Sequence, residues 1–182
     1  QIAREGMEPG AVLCRTARSH VRVGTFQYAA ALKTESGQTH VKALADFTLD
    51  RLYQDAPKSG PKRYEYLIKS AAARQAELIA KWMSFGFIHG VMNTDNACLS
   101  GETIDYGQCA FMDEFHPAKT FSSIDRRGRY AWNRQPEIAH WNMARLAETL
   151  LPLLSDDEAA QQASAEAALN SFAPVFQTAF NT

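Results

Sequence analysis

Asp95, Asn96 and Asp105 are the residues of this 182-residue chain whose types and spacing suit metal-assisted chemistry. Asp95 and Asn96 end the polar run His89-Gly90-Val91-Met92-Asn93-Thr94-Asp95-Asn96, and Asp105 follows Asn96 by nine residues. An Asn carbonyl and an Asp carboxylate folded toward each other across a short turn offer the hard oxygen donors that magnesium prefers. Its other positions are left to water and phosphate. An isolated Asp-Asn pair more often caps a helix or closes an Asx turn. The presence of His89, Asp105 and Gly107 in register favours the metal reading over that one.

The register is that of phosphoryl-transfer enzymes. Protein kinases keep an Asn seven positions after the His of their catalytic loop and take a second metal ligand from a following Asp-Phe-Gly turn. Here Asn96 lies seven after His89, and Asp105-Tyr106-Gly107 stands in the place of that turn on a shorter connection. Two positions after His89, where a kinase holds its catalytic Asp, stands Val91, which cannot accept a proton. The metal apparatus matches and the kinase base does not. Arg15 and Arg22 each sit on a short extended run, and a planar guanidinium pairs well with phosphate. An ordinary surface or ion-pair role is the alternative for both.

The run His89 to Asn96, followed by Thr103-Ile104-Asp105-Tyr106-Gly107, resembles the signature of the selenoprotein O family. Ser19 to Phe26, Gly128-Arg129-Tyr130-Ala131 and Asn133-Arg134-Gln135-Pro136 extend the resemblance over most of the chain. The family consists of kinase-like proteins that transfer AMP from ATP to protein hydroxyl groups, with the nucleotide flipped relative to ordinary kinases. The resemblance implies Asp95 as proton acceptor, Asn96 and Asp105 as ligands of magnesium, with manganese as the alternative ion, and Arg15, Arg22 and Asp105 as ATP contacts. It covers only the middle of such a protein, because the family's lysine- and glycine-bearing amino-terminal lobe and its carboxy-terminal region have no counterpart here. Residues 1–182 are therefore expected to form a single kinase-like C-lobe fragment with weak or no activity alone. Gln108-Cys109-Ala110 and Asp125-Arg126-Arg127 depart from the family wording, which leaves substrate contacts there open.

The elements that must position these residues read as mostly helical, with one short β-hairpin. Two β-prone runs, Ala11 to Arg15 and His20 to Val23, precede a helix from Thr25 that fades over Thr34 to Gln38. Val41, Leu44, Ala45, Thr48, Leu49 and Leu52 share one face of a second helix, and the Ala56 to Pro61 segment then exposes a loop. Lys62 to Ser84 is the longest helix, with Tyr64, Leu67, Ile68, Ala71, Ala72, Leu78, Ile79, Trp82 and Met83 as its stripe. Ser100-Gly101 predicts a tight hairpin over Cys98 to Asp105. Met112 to Asn133 has little periodicity and should be an ordered loop. Asn133 is a good cap for a helix with Pro136 in its first turn, and an Ala-rich helix follows, with Pro174 as a candidate interruption.

Nineteen basic and twenty acidic side chains leave a net charge of −1, which excludes a field drawing the whole protein onto nucleic acid or an anionic membrane. No apolar run is long enough to span a bilayer. A soluble cytoplasmic protein is expected, with ATP and protein substrates as partners. Cys14, Cys98 and Cys109 lack disulfide or zinc spacing and read as small buried hydrophobes in a reducing compartment. Trp82, Trp132 and Trp141 read as core anchors, and His89 as a structural residue bonded to nearby backbone. Arg126-Arg127-Gly128-Arg129 reads as a solvated loop or a contact for substrate acids. Two functional classes remain: a catalytic lobe for adenylyl transfer and a non-catalytic pseudokinase-like scaffold. Both metal ligands are present, and a scaffold needs neither. Small-molecule phosphotransfer of the antibiotic-kinase kind would want an Asp at Val91.

Overall fold

A computed structural model describes residues 2–3, 6–32 and 37–182 of the chain. The described residues are mainly helical, with two small antiparallel strand pairs: β1 (Ile2–Ala3) with β2 (Met7–Glu8), and β3 (Phe87–Ile88) with β4 (Ala110–Phe111).

Helix α3 (Pro61–Ser84) is the axis of the molecule. Its stripe Leu67, Ile68, Ala71, Ala72, Ala76 and Ile79 is fully buried. Small alanines alternating with larger side chains on one stripe allow neighbouring helices to approach closely while the gaps are filled. Around α3 pack α2 (Gly37–Leu52), α4 (Gln135–Leu150), α5 (Glu158–Leu169) and α6 (Phe172–Phe180), while α1 (Val23–Ala31) lies on α2 and α4. Val41, Ala45 and Leu49 of α2 and Met143, Leu146 and Leu150 of α4 join the same core. Arg63, buried in the first turn of α3, ties that end to α2 through Asp46 and Asp50 and to the preceding loop through the Pro57 carbonyl. Burial alone would raise the Asp46 carboxyl. Hydrogen bonds from Lys42, Arg63 and Tyr64 outweigh it and hold its pKa below the ordinary value.

The three helices read from periodicity are present, and α2 starts at Gly37. The expected break at Thr34–Gln38 falls partly outside the described residues. Four expectations need correction. No ladder joins Ala11 to Arg15, and the second run pairs only at Arg22, which bridges antiparallel to Cys98. The Ser100-Gly101 turn forms, with Gly101 N–H donating to the Cys98 carbonyl, but Cys98 to Asp105 is not a strand hairpin. Its backbone is met by side chains instead: Tyr53 Oη donates to Leu99 O at 2.5 Å and Gln75 Nε2 to Cys98 O at 2.8 Å. Arg134, not Asn133, precedes α4, because a 3-10 turn over Trp132–Arg134 takes up the cap position. Pro174 sits inside the first turn of α6, where its missing N–H costs nothing, and the chain breaks earlier, at Asn170 and Ser171.

Cys98 is buried as expected, whereas Cys14 is exposed. Trp82 is buried, but Trp141 lies on the surface with 38% of its area exposed.

Leu67→Ala should lower stability by about 3 kcal/mol, since the close-packed helices around α3 cannot collapse into the space left. Urea unfolding of the two proteins measures the difference.

Candidate functional site

His89 leaves β3 into the core, only 1% exposed, with its ring stacked on Trp82 at 5.3 Å between centroids. Its Nδ1 accepts the Val91 N–H at 3.3 Å, which places the proton on Nε2, and Nε2–H donates to the Ile104 carbonyl at 2.7 Å. One imidazole thus fixes the start of the 89–96 loop and holds it against the residue before Asp105. Burial is the chief cause that lowers the His89 pKa, opposed by the bond to Ile104 and the charge of Asp105. A protonated ring would also set a second N–H against that of Val91.

The two segments meet again at Gly90. This residue has φ +84°, and a Cβ there would stand 2.7 Å from the Gln108 carbonyl oxygen, so glycine is required by conformation and by contact with rigid backbone. Beyond these contacts, β3 and β4 close the base of both loops through the pairs Phe87 with Phe111 and Ile88 with Ala110.

Helix α4 supplies the support that sequence reasoning missed. Gln135, fully buried, accepts the His89 N–H at 3.1 Å and donates to Phe87 O at 3.0 Å, acting as a strand neighbour would. Asn142 donates to Met92 O at 3.0 Å. The available signal was two polar residues, seven apart, on the apolar stripe of a helix that includes Ile138 and Leu146.

Asp95 and Asn96 lie in a 3-10 turn, Thr94–Asn96. Asn96 Nδ2 donates to Val91 O at 2.8 Å, which fixes the amide and leaves its Oδ1 without a partner among the described residues. Asp95 is exposed, and its carboxylate rests on the first turn of α1: a Cβ at Gly24 would lie 2.0 Å from Asp95 Oδ1. A helix N-terminus is a favourable place for a carboxylate. The two hydrogen bonds of the Arg22–Cys98 bridge, Val23 N–H to Ala97 O and Leu99 N–H to Val21 O, both 3.0 Å, set this contact and bring Arg22 beside the turn.

Asp105 is exposed and, among the described residues, is the one non-glycine residue with positive φ, +61°. That conformation costs on the order of 1 kcal/mol and is tolerated by Asp better than by most residues. Arg15 reaches the same segment from the exposed amino-terminal stretch, with its Cζ 5.6 Å from the Tyr106 ring centre. Arg15, His20, Cys98, Glu102, Thr103 and Tyr106 line part of a cavity of about 370 Å³ there. The structure thus brings Asp95 and Asn96 to the start of α1 near Arg22, and Arg15 to the segment that holds Asp105. Among the described residues, no group of three or more His, Cys, Asp or Glu side chains forms a protein-only metal cage.

A family model described as protein adenylyltransferase SelO matches residues 1–182. The chain belongs to the SelO family. A protein nucleotidyltransferase YdiU of Shewanella denitrificans is 56% identical over 179 residues, 98% of this chain and 35% of that protein. Its namesake in Rhodopseudomonas palustris is 54% identical, over 99% of this chain and 36% of the relative. The one in Halalkalibacterium halodurans is 53% identical, over 97% and 35%. The chain thus spans about a third of the length of these SelO-family relatives. No described helix is long and apolar enough to cross a membrane.

Gly24→Ala should leave the melting temperature within a few degrees of the parent, because alanine favours the helix and only the end of a flexible exposed side chain must move. The Asp95 carboxyl carbon signal in NMR should shift as that carboxylate is displaced, and an unchanged signal would contradict the packing described.

His89 also sets a pH dependence. Its folded pKa lies below the ordinary 6.5, so the unfolded chain takes the proton more readily. The stability contributed by the neutral ring is complete above pH 6.5 and is lost as pH falls through the folded value. The other histidines, at 20, 40, 116 and 140, are exposed. Denaturation midpoints measured from neutral into mildly acidic buffer should fall in the parent and fall less steeply in His89→Gln.

Proposed function

We propose that this chain carries the metal- and phosphate-binding part of a protein adenylyltransferase, which moves AMP from ATP to Ser, Thr or Tyr hydroxyls of proteins. The observation that carries the reading is the His89 clamp, with the Asn96 carbonyl free on one loop and the Asp105 carboxylate exposed on the other. The family's description and the names of the relatives support the same class of reaction. The helical arrangement around α3, with the loops at one end of β3 and β4, is read as the C-lobe of a kinase-like fold.

The donor set suits magnesium. One amide oxygen and one carboxylate are too few for a protein-only cage, as expected for an ion that keeps waters and shares substrate phosphates. Asn96 and Asp105 would hold it. When bound, the ion would supply charge stabilisation to the phosphates.

The chain's own residues account for the remaining work. Arg15 and Arg22 bind phosphate oxygens through guanidinium forks. Asp95, held by α1 and open to solvent, accepts the proton of the attacking hydroxyl. The hydroxyl oxygen forms a bond to the α-phosphorus while the bond from that phosphorus to the pyrophosphate oxygen breaks. Val91, at the kinase base position, offers no acceptor for the usual γ-phosphoryl transfer. Weak turnover by the 182-residue chain alone is part of this reading, since about two thirds of the relatives' length lies outside the region it matches.

The test is labelling of protein substrate from α-labelled ATP by a chain of the relatives' full length. Asp105→Ala should reduce it at least about a hundredfold, the loss expected for a transition-state stabiliser. Asp95→Ala should reduce it by roughly a hundred to ten thousand fold. Phosphate rather than AMP on the substrate by mass spectrometry, or undiminished labelling by Asp105→Ala, would overturn the assignment.

A further inference from the structure

Helix α4 serves the site with one face and presents another to solvent. Arg134, Glu137, Trp141, Arg145 and Glu148 recur at three- and four-residue spacing, which places them along one stripe beside the buried face of Gln135 and Asn142. Two guanidinium groups converge on the exposed indole of this stripe: Arg129 Cζ lies 4.9 Å from the Trp141 ring centre and Arg145 Cζ 5.3 Å.

Arg129 comes from the loop that precedes α4 and also approaches the Tyr130 ring, at 5.8 Å. Arg126 and Arg127, in the same turn, are exposed. Asp125, the acid of that turn, has both carboxylate oxygens bonded to the backbone N–H groups of Arg129 and Tyr130, each at 2.8 Å. Among the described residues no carboxylate forms an ion pair with Arg126, Arg127 or Arg129. Arg145 does pair with Glu148, yet its Nε is buried without a hydrogen-bond partner.

Like charges held at one aromatic ring repel each other, and the ring and the single Glu148 carboxylate offset only part of that. An anion over the pair removes the imbalance. The net charge of −1 shows that the imbalance is local and not a property of a basic protein.

We propose that Arg126, Arg127, Arg129, Trp141 and Arg145 form a docking surface for an acidic segment of a protein partner. Guanidinium forks match carboxylates bidentately, and an exposed indole adds apolar area for the stems of Asp and Glu side chains. A nucleic-acid backbone fits less well. Glu137 and Glu148 bracket Trp141 along the stripe and repel either kind of anion, but a peptide can set its carboxylates at the arginines and neutral residues beside the glutamates, whereas a nucleic acid carries a phosphate at every nucleotide. If the transferase reading holds, the partner is the protein substrate, and only that last identification rests on it.

The test is fluorescence anisotropy of a dye-labelled Asp/Glu-rich peptide titrated with the 182-residue chain, without nucleotide or metal, so that failure of the transferase reading leaves it intact. Binding is expected, and it should weaken as salt is added. Arg129→Glu should reduce affinity about tenfold or more, and Trp141→Ala should weaken it too, since both guanidinium groups lose the ring that holds them. Lys62→Glu, the same charge change at an exposed position at the start of α3, should leave it unchanged. Absence of peptide binding would overturn the proposal. So would an equal loss with Lys62→Glu, no loss with Trp141→Ala, or tighter binding of a labelled single-stranded oligonucleotide with the same Arg129 dependence.

Discussion

A neutral imidazole in the core holds the two loops of the candidate site together. His89 accepts from Val91 on one nitrogen and donates to the Ile104 carbonyl with the other, so a single side chain sets the spacing between the segment ending at Asn96 and the segment beginning at Asp105. The arrangement needs burial, because a solvated ring would exchange both bonds for water. It also needs neutrality, because the proton that would charge the ring must displace the Val91 contact. Burial supplies both conditions at once, and Trp82 supplies much of the burial by stacking on the ring while its own N–H is satisfied at 2.9 Å by Thr103.

The same problem recurs around the clamp and receives the same solution. A loop that enters the core brings backbone N–H and C=O groups that no regular ladder satisfies, and each one left unpaired would cost about 1–3 kcal/mol. The residue just after α2, Tyr53, and helices α3 and α4, with Gln75, Gln135 and Asn142, meet these groups, and all four side chains are nearly inaccessible to solvent. Tyr53 shows how dry the position is: burial is the leading cause that pushes its pKa up to about 12, against the pull of the Arg74 guanidinium, whose Cζ sits 4.1 Å from its ring centre. The helices thus work as a rigid jig whose polar side chains are cut to the shape of the loops.

This explains what could be read from the sequence. The helices were legible because their apolar residues repeat locally, and Leu67, Ile68, Ala71 and Ile79 announce a buried stripe without reference to anything distant. Asp95, Asn96 and Asp105 were legible as a pattern, through spacing from His89 and through likeness to a family the chain does belong to. The local conformation of residues 98–105 was not. Ser-Gly between apolar runs does make a turn, but the carbonyls around it are claimed by Tyr53 and Gln75, 46 and 23 residues away, and these remove the need for a cross-strand partner. The contact between Gly24 and the Asp95 carboxylate was hidden for the same reason. Both residues look ordinary until the pairing of residues 21–23 with 97–99 brings them together. Trp141 was misread because an indole on a helix is usually buried, and nothing in local periodicity reveals two arginines that keep one at the surface.

The distribution of rigidity follows from these constraints. The side chains that anchor the loops, His89, Gln135 and Asn142, are buried, whereas Asp95 and Asp105 are exposed, and Asn96 spends only its amide nitrogen on the fold. Asp105 even pays for its position with a left-handed backbone, a conformation that persists only where the surroundings over-determine it. Here they do so from both sides: the Ile104 carbonyl is fixed by His89, and the backbone of Gln108 is packed against Gly90. A carboxylate held in this way is restrained by its main chain, and its side chain remains exposed. The groups that would do chemistry are therefore the ones the fold leaves unpartnered, and the groups that hold them carry no charge.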